Sequence, residues 1–345
     1  MRSEPAWLPA IARVLVASLL CLLLSSAAAQ AHVKWFAAYD IESAPIGLHL
    51  VLTTRFLALA LVAILLLFAT CRIERIPLGT ALIDQIDDVF EGLRGRTDTL
   101  IRAGVAIFFT AIWATGGFIL TPELKTSSQV ILWTQALIAV CTFWRQTLVI
   151  SAAGIVGLFA AGIAQYGLFH MMDYPIFLGA AAYLAMRGIG MERLGHLRPL
   201  DVARWAVAIT LMWASVEKWA YPEWSYPVLR THARITLGLS PEFYMCAAGM
   251  VEFALSFGLL WTALVRRLSA LVLLSMFISA VFEFGKIDAI GHLVIIILLA
   301  AIAADDRPDD RLRPARAPVW FSAALGSTIL LYYLSHTALF ATPMI

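Results

Sequence analysis

Residues 202–224 read VARWAVAITLMWASVEKWAYPEW, an apolar run that closes on charged and aromatic residues. At about 1.5 Å per helical residue, the apolar run 202–220 is long enough to cross the roughly 30 Å hydrocarbon core of a bilayer. Near one end it carries Glu217 and Lys218 side by side, beside an aromatic belt and a proline. An ionised group in hydrocarbon costs a few kcal/mol, so such a pair implies a buried partner or a function. The stretch therefore reads as a membrane helix whose wet end holds a polar site.

The rest of the chain repeats the pattern. Its 345 residues are 61% hydrophobic and 14% charged, with a mean hydropathy of +0.84, against about 25% charged in a soluble protein. Apolar runs at 47–71, 100–121, 127–144, 147–169, 173–189, 202–220, 242–264, 267–284, 288–304 and 318–341 predict an all-α, polytopic transmembrane helix bundle of about ten spans. The arginines are scattered over short loops with no basic stripe, which argues against nucleic-acid binding. Residues 1–31 read as a cleaved signal peptide, with an apolar stretch from Val14 to Leu24 and a small-x-small site at Ala29-Gln30-Ala31. The alternative is an uncleaved first helix.

Arginine placement orients the bundle. Arg72, Arg75, Arg94, Arg96, Arg193, Arg198, Arg266, Arg267 and Arg307 fall in loops on one side; Lys34, Lys125, Lys218, Arg230 and Lys286 fall on the other. Both mature termini are then expected in the periplasm, with the protein in a bacterial inner membrane. Within segment 32–99, residues 82–93 place Leu82, Ile83, Ile86, Val89, Phe90 and Leu93 at helical spacing. They predict an amphipathic helix on the cytoplasmic face, after the first span. Cys21, Cys71, Cys141 and Cys246 lie far apart with no C-x-x-C, against a thiolate zinc site or disulfide exchange. They read as buried, inert thiols.

An internal echo divides the middle of the chain. Trp113-Ala114 followed by Pro122-Glu123 recurs as Trp213-Ala214 followed by Pro222-Glu223. Likewise Phe159, Gln165-Tyr166-Gly167 and Asp173 are echoed by Phe277, Glu283-Phe284-Gly285 and Asp288. The spacing predicts a parallel duplication of a four-helix unit, 100–189 and 200–304, followed by a last span at 318–341. Gly117 stands where the second copy has Glu217, and Gln165 where it has Glu283. The first copy is then the degenerate one, and the second keeps the ionisable groups.

Glu217, Glu252, Glu283, Asp288 and His292 all fall toward the periplasmic ends of their predicted helices. Three chemistries fit them. Asp288 and His292, four residues apart on one helix face, together with His32 at a mature amino terminus, are candidate metal ligands. Imidazole and amine suit copper; imidazole and carboxylate suit zinc or iron. Glu217, Glu252 and Glu283 are candidate proton-exchanging (catalytic) groups of a quinone site, with Trp219, Tyr221 and Trp224 to hold an aromatic headgroup. The plainest alternative is that these groups only pair with one another at the wet end of the bundle.

The segments MWASVEKWAYPEW (212–224), GMVEFALSFGLL (249–260) and FEFGKIDAIGHL (282–293) resemble the DoxX-like family of bacterial and archaeal membrane proteins. The opening AHVKWF (31–36) is similar to larger relatives with an extra N-terminal part. The resemblance covers about 200–304, and 100–189 if the first unit is a diverged copy. It implies a four-helix membrane module, and a family named for a subunit of an archaeal thiosulfate:quinone oxidoreductase. The expectation is a membrane subunit of a redox-linked, quinone- or metal-associated system, with the lipid bilayer and a soluble or membrane redox protein as partners. A proton-coupled transporter of a small solute or metal ion, and a non-catalytic structural subunit, are the alternatives.

Overall fold

The computed structural model describes residues 33–307 and 314–340, all helices and connecting turns, so the predicted signal peptide lies outside the described residues. In chain order the long elements are α1 (Thr54–Ile73), α2 (Pro77–Phe90), α3 (Thr97–Thr115), α4 (Gln129–Cys141), α5 (Leu148–Tyr166) and α6 (Pro175–Gly188). They continue with α7 (Pro199–Ala220), α8 (Pro222–Thr231), α9 (Pro241–Gly258), α10 (Ala263–Phe284), α11 (Lys286–Ala303) and α12 (Ala317–Phe340). Each predicted span overlaps one of these helices, but not all are alike. Six are long and apolar enough to cross a membrane: α1, α3, α5 with the turn before it, α10, α11 and α12. α4 and α6, at 13 and 14 residues, rise only about 20 Å. α7 has the length at 22 residues, but carries Asp201, Arg204, Glu217 and Lys218.

Consecutive members of α3–α4–α5–α6 pack on one another, as do consecutive members of α7–α9–α10–α11. The fourth helix of each set also packs on the first of the other, α6 on α7 and α11 on α3. α1 and α12 pack together and against α9 and α7.

The two sets differ where their sequences differ. α3 ends at Thr115, short of the predicted 121, because Gly116 and Gly117 take φ of +70° and +75°, a region open to glycine and strained for other residues. The chain then makes a tight turn in which the Gln135 side-chain amide donates to the carbonyls of Phe118 (2.5 Å) and Ile119 (2.7 Å). That turn swings Glu123 inward. In α7, the residue at the same spacing from the Trp-Ala pair is Glu217, and the helix runs on to Ala220. Gly167 and Gly285 end α5 and α10 alike, at φ +85° and +76°.

The arginines of the loop ends do more than mark a side. Arg266 and Arg267 are each 1% exposed. Arg267 donates to Ala303 O (2.9 Å) and Asp87 (2.5 Å), and Arg266 to the carbonyls of Asp305 (3.0 Å) and Arg307 (2.7 Å). Arg267 satisfies a carbonyl left open at the C-terminus of α11, where the helix dipole favours a cation, and Arg266 ties down the loop that follows. Asp87 belongs to α2, so the predicted amphipathic helix is pinned to α10 through this pair. α2 buries Leu82, Ile86 and Phe90, while Val89 is exposed. Among the described residues the cysteines are free thiols; Cys71 and Cys141 are buried and Cys246 is half-buried.

Candidate functional site

The site is built from the chain's first described turn downward. Val33–Trp35 forms a single 3₁₀ turn that lodges at the end of the bundle opposite Arg266 and Arg267. The Lys34 Nζ sits 2.5 Å from Asp173 Oδ2, just before α6, and 2.5 Å from Glu217 Oε2 on α7. The rings of Tyr39 and Trp224 each lie 5.5 Å from the same ammonium, within cation–π range. Burial alone would strip the charge from Lys34. Asp173 and Glu217 reverse that and raise its pKa above the ordinary lysine value.

Trp35 follows into a slot that glycine makes possible. Its ring lies 4.6 Å from the His292 ring, and a Cβ added at Gly291 would come within 1.9 Å of it. Further along, Ile46 N donates to Ala220 O (3.0 Å), Tyr221 Oη to Ser43 O (2.8 Å) and Tyr333 Oη to Ile46 O (2.7 Å). Segment 33–46 is thus laced across the ends of α7 and α12.

Beneath it lies a cavity of about 90 Å³, walled by the N-terminal segment, α6, α7, α8, α9, α10 and α11. Asp173, Glu217, Lys218, Glu252 and His292 are its acidic and basic lining, Thr210 and Ser225 are among its hydroxyls, and Phe177, Leu211, Phe277 and Ile295 supply an apolar wall. Lys218 Nζ meets Glu252 Oε2 at 2.7 Å across the α7–α9 contact. The helices approach this closely because α9 presents Gly249, where a Cβ would lie 2.4 Å from Trp219 Nε1. Tyr221 and Trp224 stack at the rim, 4.0 Å apart and nearly parallel.

Of the candidates read from sequence, this cavity gathers Glu217, Glu252, His292, Tyr221 and Trp224. Glu283 stands apart, 2.8 Å from His232 Nδ1 and partly exposed. Trp219 packs edge-on against Phe56 and donates to Cys246 O, away from the cavity. Asp288 is fully buried, with an oxygen 3.0 Å from His292 Nδ1 but outside hydrogen-bond alignment. His292 is sandwiched between Trp35 and Phe277. His32 lies outside the described residues, so the metal set His32, Asp288 and His292 is placed only for its last two members.

Sequence reasoning left out the other half of the site. His170 Nε2 lies 2.7 Å from Glu123 Oε1, the Tyr174 hydroxyl donates to that same oxygen, and Asp173 completes the group. Ligand atoms of Glu123, His170 and Asp173 all lie within 4.8 Å of one another. The one signal for Asp173 was its correspondence to Asp288 in the internal echo. Glu123 followed the Trp-Ala…Pro-Glu pattern, yet its inward swing depends on the turn after Gly117. Compared with family models, curated proteins and solved structures, the chain matches none of them.

Proposed function

We propose that this is an integral membrane subunit of a redox-linked system, and that the cavity under Trp35 binds a quinone-type headgroup. The observation that carries the reading is the meeting, in one cavity, of the Lys218–Glu252 pair and His292 with an apolar wall and a stacked aromatic rim. A quinone needs those features together: a flat apolar ring to be enclosed, and two oxygens that require a donor and a proton acceptor at its edge. Lys218 would donate to a quinone oxygen. Glu252 would take a proton from the quinol as its two electrons leave to a redox partner, and His292 would serve the opposite edge. The resemblance to the DoxX-like family agrees with a quinone-linked role.

The arginine-capped end would face the cytoplasm, and the Lys34 end the periplasm of a bacterial inner membrane, as the positive-inside rule requires. The reciprocal packing of α6 on α7 and α11 on α3, and the matched glycine ends of α5 and α10, support a parallel duplication of a four-helix unit.

Quinone binding is tested by titrating a short-chain quinone into the purified protein and following tryptophan fluorescence. Saturable quenching is expected, weakened at least tenfold in Glu252→Gln and retained in Glu283→Gln, whose residue lies outside the cavity. Quenching that is not saturable, or equal in both variants, would overturn the assignment. A proton-coupled transporter is the second reading, favoured by the two carboxylates buried against Lys34. It requires solute uptake into proteoliposomes that Glu217→Gln abolishes.

A further inference from the structure

Beside the cavity, Glu123, His170 and Asp173 converge from the turn after α3 and the short Leu168–Met171 helix with its following loop. The His170 and Asp173 residues are each 3% exposed, and the Glu123 side chain 1%. We propose that these three side chains form a binding site for one divalent transition-metal ion, distinct from Asp288 and His292 and independent of whether the cavity binds a quinone.

Three features point there. The first is geometry: one imidazole nitrogen and two carboxylate oxygens within 4.8 Å of one another can converge on an ion at ordinary bond lengths of about 2.0–2.2 Å. The second is charge. Glu123 and Asp173 lie in the cluster and Glu217 lies on the far side of Lys34, so three carboxylates are gathered around a single ammonium and a divalent ion would offset the surplus of acidic groups. Buried charge of this kind demands compensation. The third is support around the ligands: the Tyr174 hydroxyl holds Glu123, Lys34 holds the outer oxygen of Asp173, and the Tyr39 and Tyr166 rings lie 5.7 and 5.6 Å from the His170 ring. Partners of this kind orient metal ligands and set their basicity. One nitrogen and two oxygens suit zinc, iron(II) or manganese rather than copper(I), which prefers sulfur. On binding, the proton between His170 Nε2 and Glu123 would move to His170 Nδ1, leaving Nε2 free for the ion, and Lys34 would keep Glu217 out of the coordination sphere.

The test uses the full-length protein in detergent, stripped with chelator, equilibrated with Zn²⁺ alone, desalted and assayed for metal per chain. About one Zn²⁺ per chain is expected, with affinity falling at least tenfold in His170→Gln and in Glu123→Gln. Glu283→Gln, whose residue lies outside the cluster, is expected to bind Zn²⁺ as the wild type does. Bound Zn²⁺ should also raise the unfolding temperature of the wild type and not that of His170→Gln; an equal rise in both would overturn the proposal. Co²⁺ loaded into the wild type should show the visible bands of a site with nitrogen and oxygen ligands. Absence of bound Zn²⁺ in the wild type, wild-type stoichiometry in both His170→Gln and Glu123→Gln, or loss in His292→Gln with retention in His170→Gln would each overturn the proposal.

Discussion

Lys34 ties the two halves of the bundle together, one contact to Asp173 and one to Glu217, across 139 residues of sequence to the first of them. Removing one member of a buried ion pair costs about 3–5 kcal/mol, because the remaining charges are left uncompensated. Lys34→Met is therefore expected to lower thermal stability sharply, measured by unfolding in detergent. Lys34→Met combined with Asp173→Asn and Glu217→Gln should recover most of the loss; a triple variant no better than the single one would show that the ammonium is not what the carboxylates are held by. Gly291 makes a second residue-scale case. Gly291→Leu would drive a side chain into the Trp35 ring, at a cost of about 1–3 kcal/mol for overpacking. A red-shifted tryptophan emission would report the ring's expulsion, and unchanged emission would contradict the seating. Neither contact is visible in sequence. A lone lysine in AHVKWF says nothing of which distant carboxylates will surround it, and a glycine one residue before His292 reads as helix filler until an aromatic ring is found against it.

At the scale of elements, sequence patterns located helices better than they ended them. Although α2 and α8 lie outside them, the ten apolar runs each overlap a long helix, because burial and hydrocarbon thickness both act on runs of that length. They overran α3 by six residues because Gly116 and Gly117 are apolar by composition, yet take positive φ and stop the helix. Gly117→Val should cost about 1–3 kcal/mol through backbone strain, and should disturb Glu123 and His170 more than Glu217. Histidine NMR shifts of His170 against His336 would separate the two effects. Nothing in the sequence marks the arginines as caps. Since Arg267 closes the end of α11 and holds α2 through Asp87, Arg267→Met is expected to cost about 2–3 kcal/mol and to free α2. Protease cutting within 77–93 in the variant, and not in the wild type, would check it.

For the whole molecule, the part of the site that sequence brought forward came from the second four-helix set: Glu217, Glu252 and His292 line one cavity as ionisable groups clustered at one end of their helices. Glu283 and Trp219 failed to join them because a helical position near an end does not say which side of the helix faces inward. The first set, degenerate by its sequence, nevertheless supplies Asp173, His170 and Glu123, brought in by a turn and a short helix that have no apolar periodicity to betray them. The site is thus a joint product of both sets, roofed by segment 33–46, and its proposed occupant is a flat amphiphilic headgroup. The decisive measurement is photo-crosslinking with an azido-quinone, mapped by mass spectrometry. Labels are expected on cavity residues such as Tyr221, Trp224 and Ile295, competed away by unlabelled quinone. Labels confined to outward-facing residues such as Leu65 and Trp133, without competition, would contradict the proposed occupant.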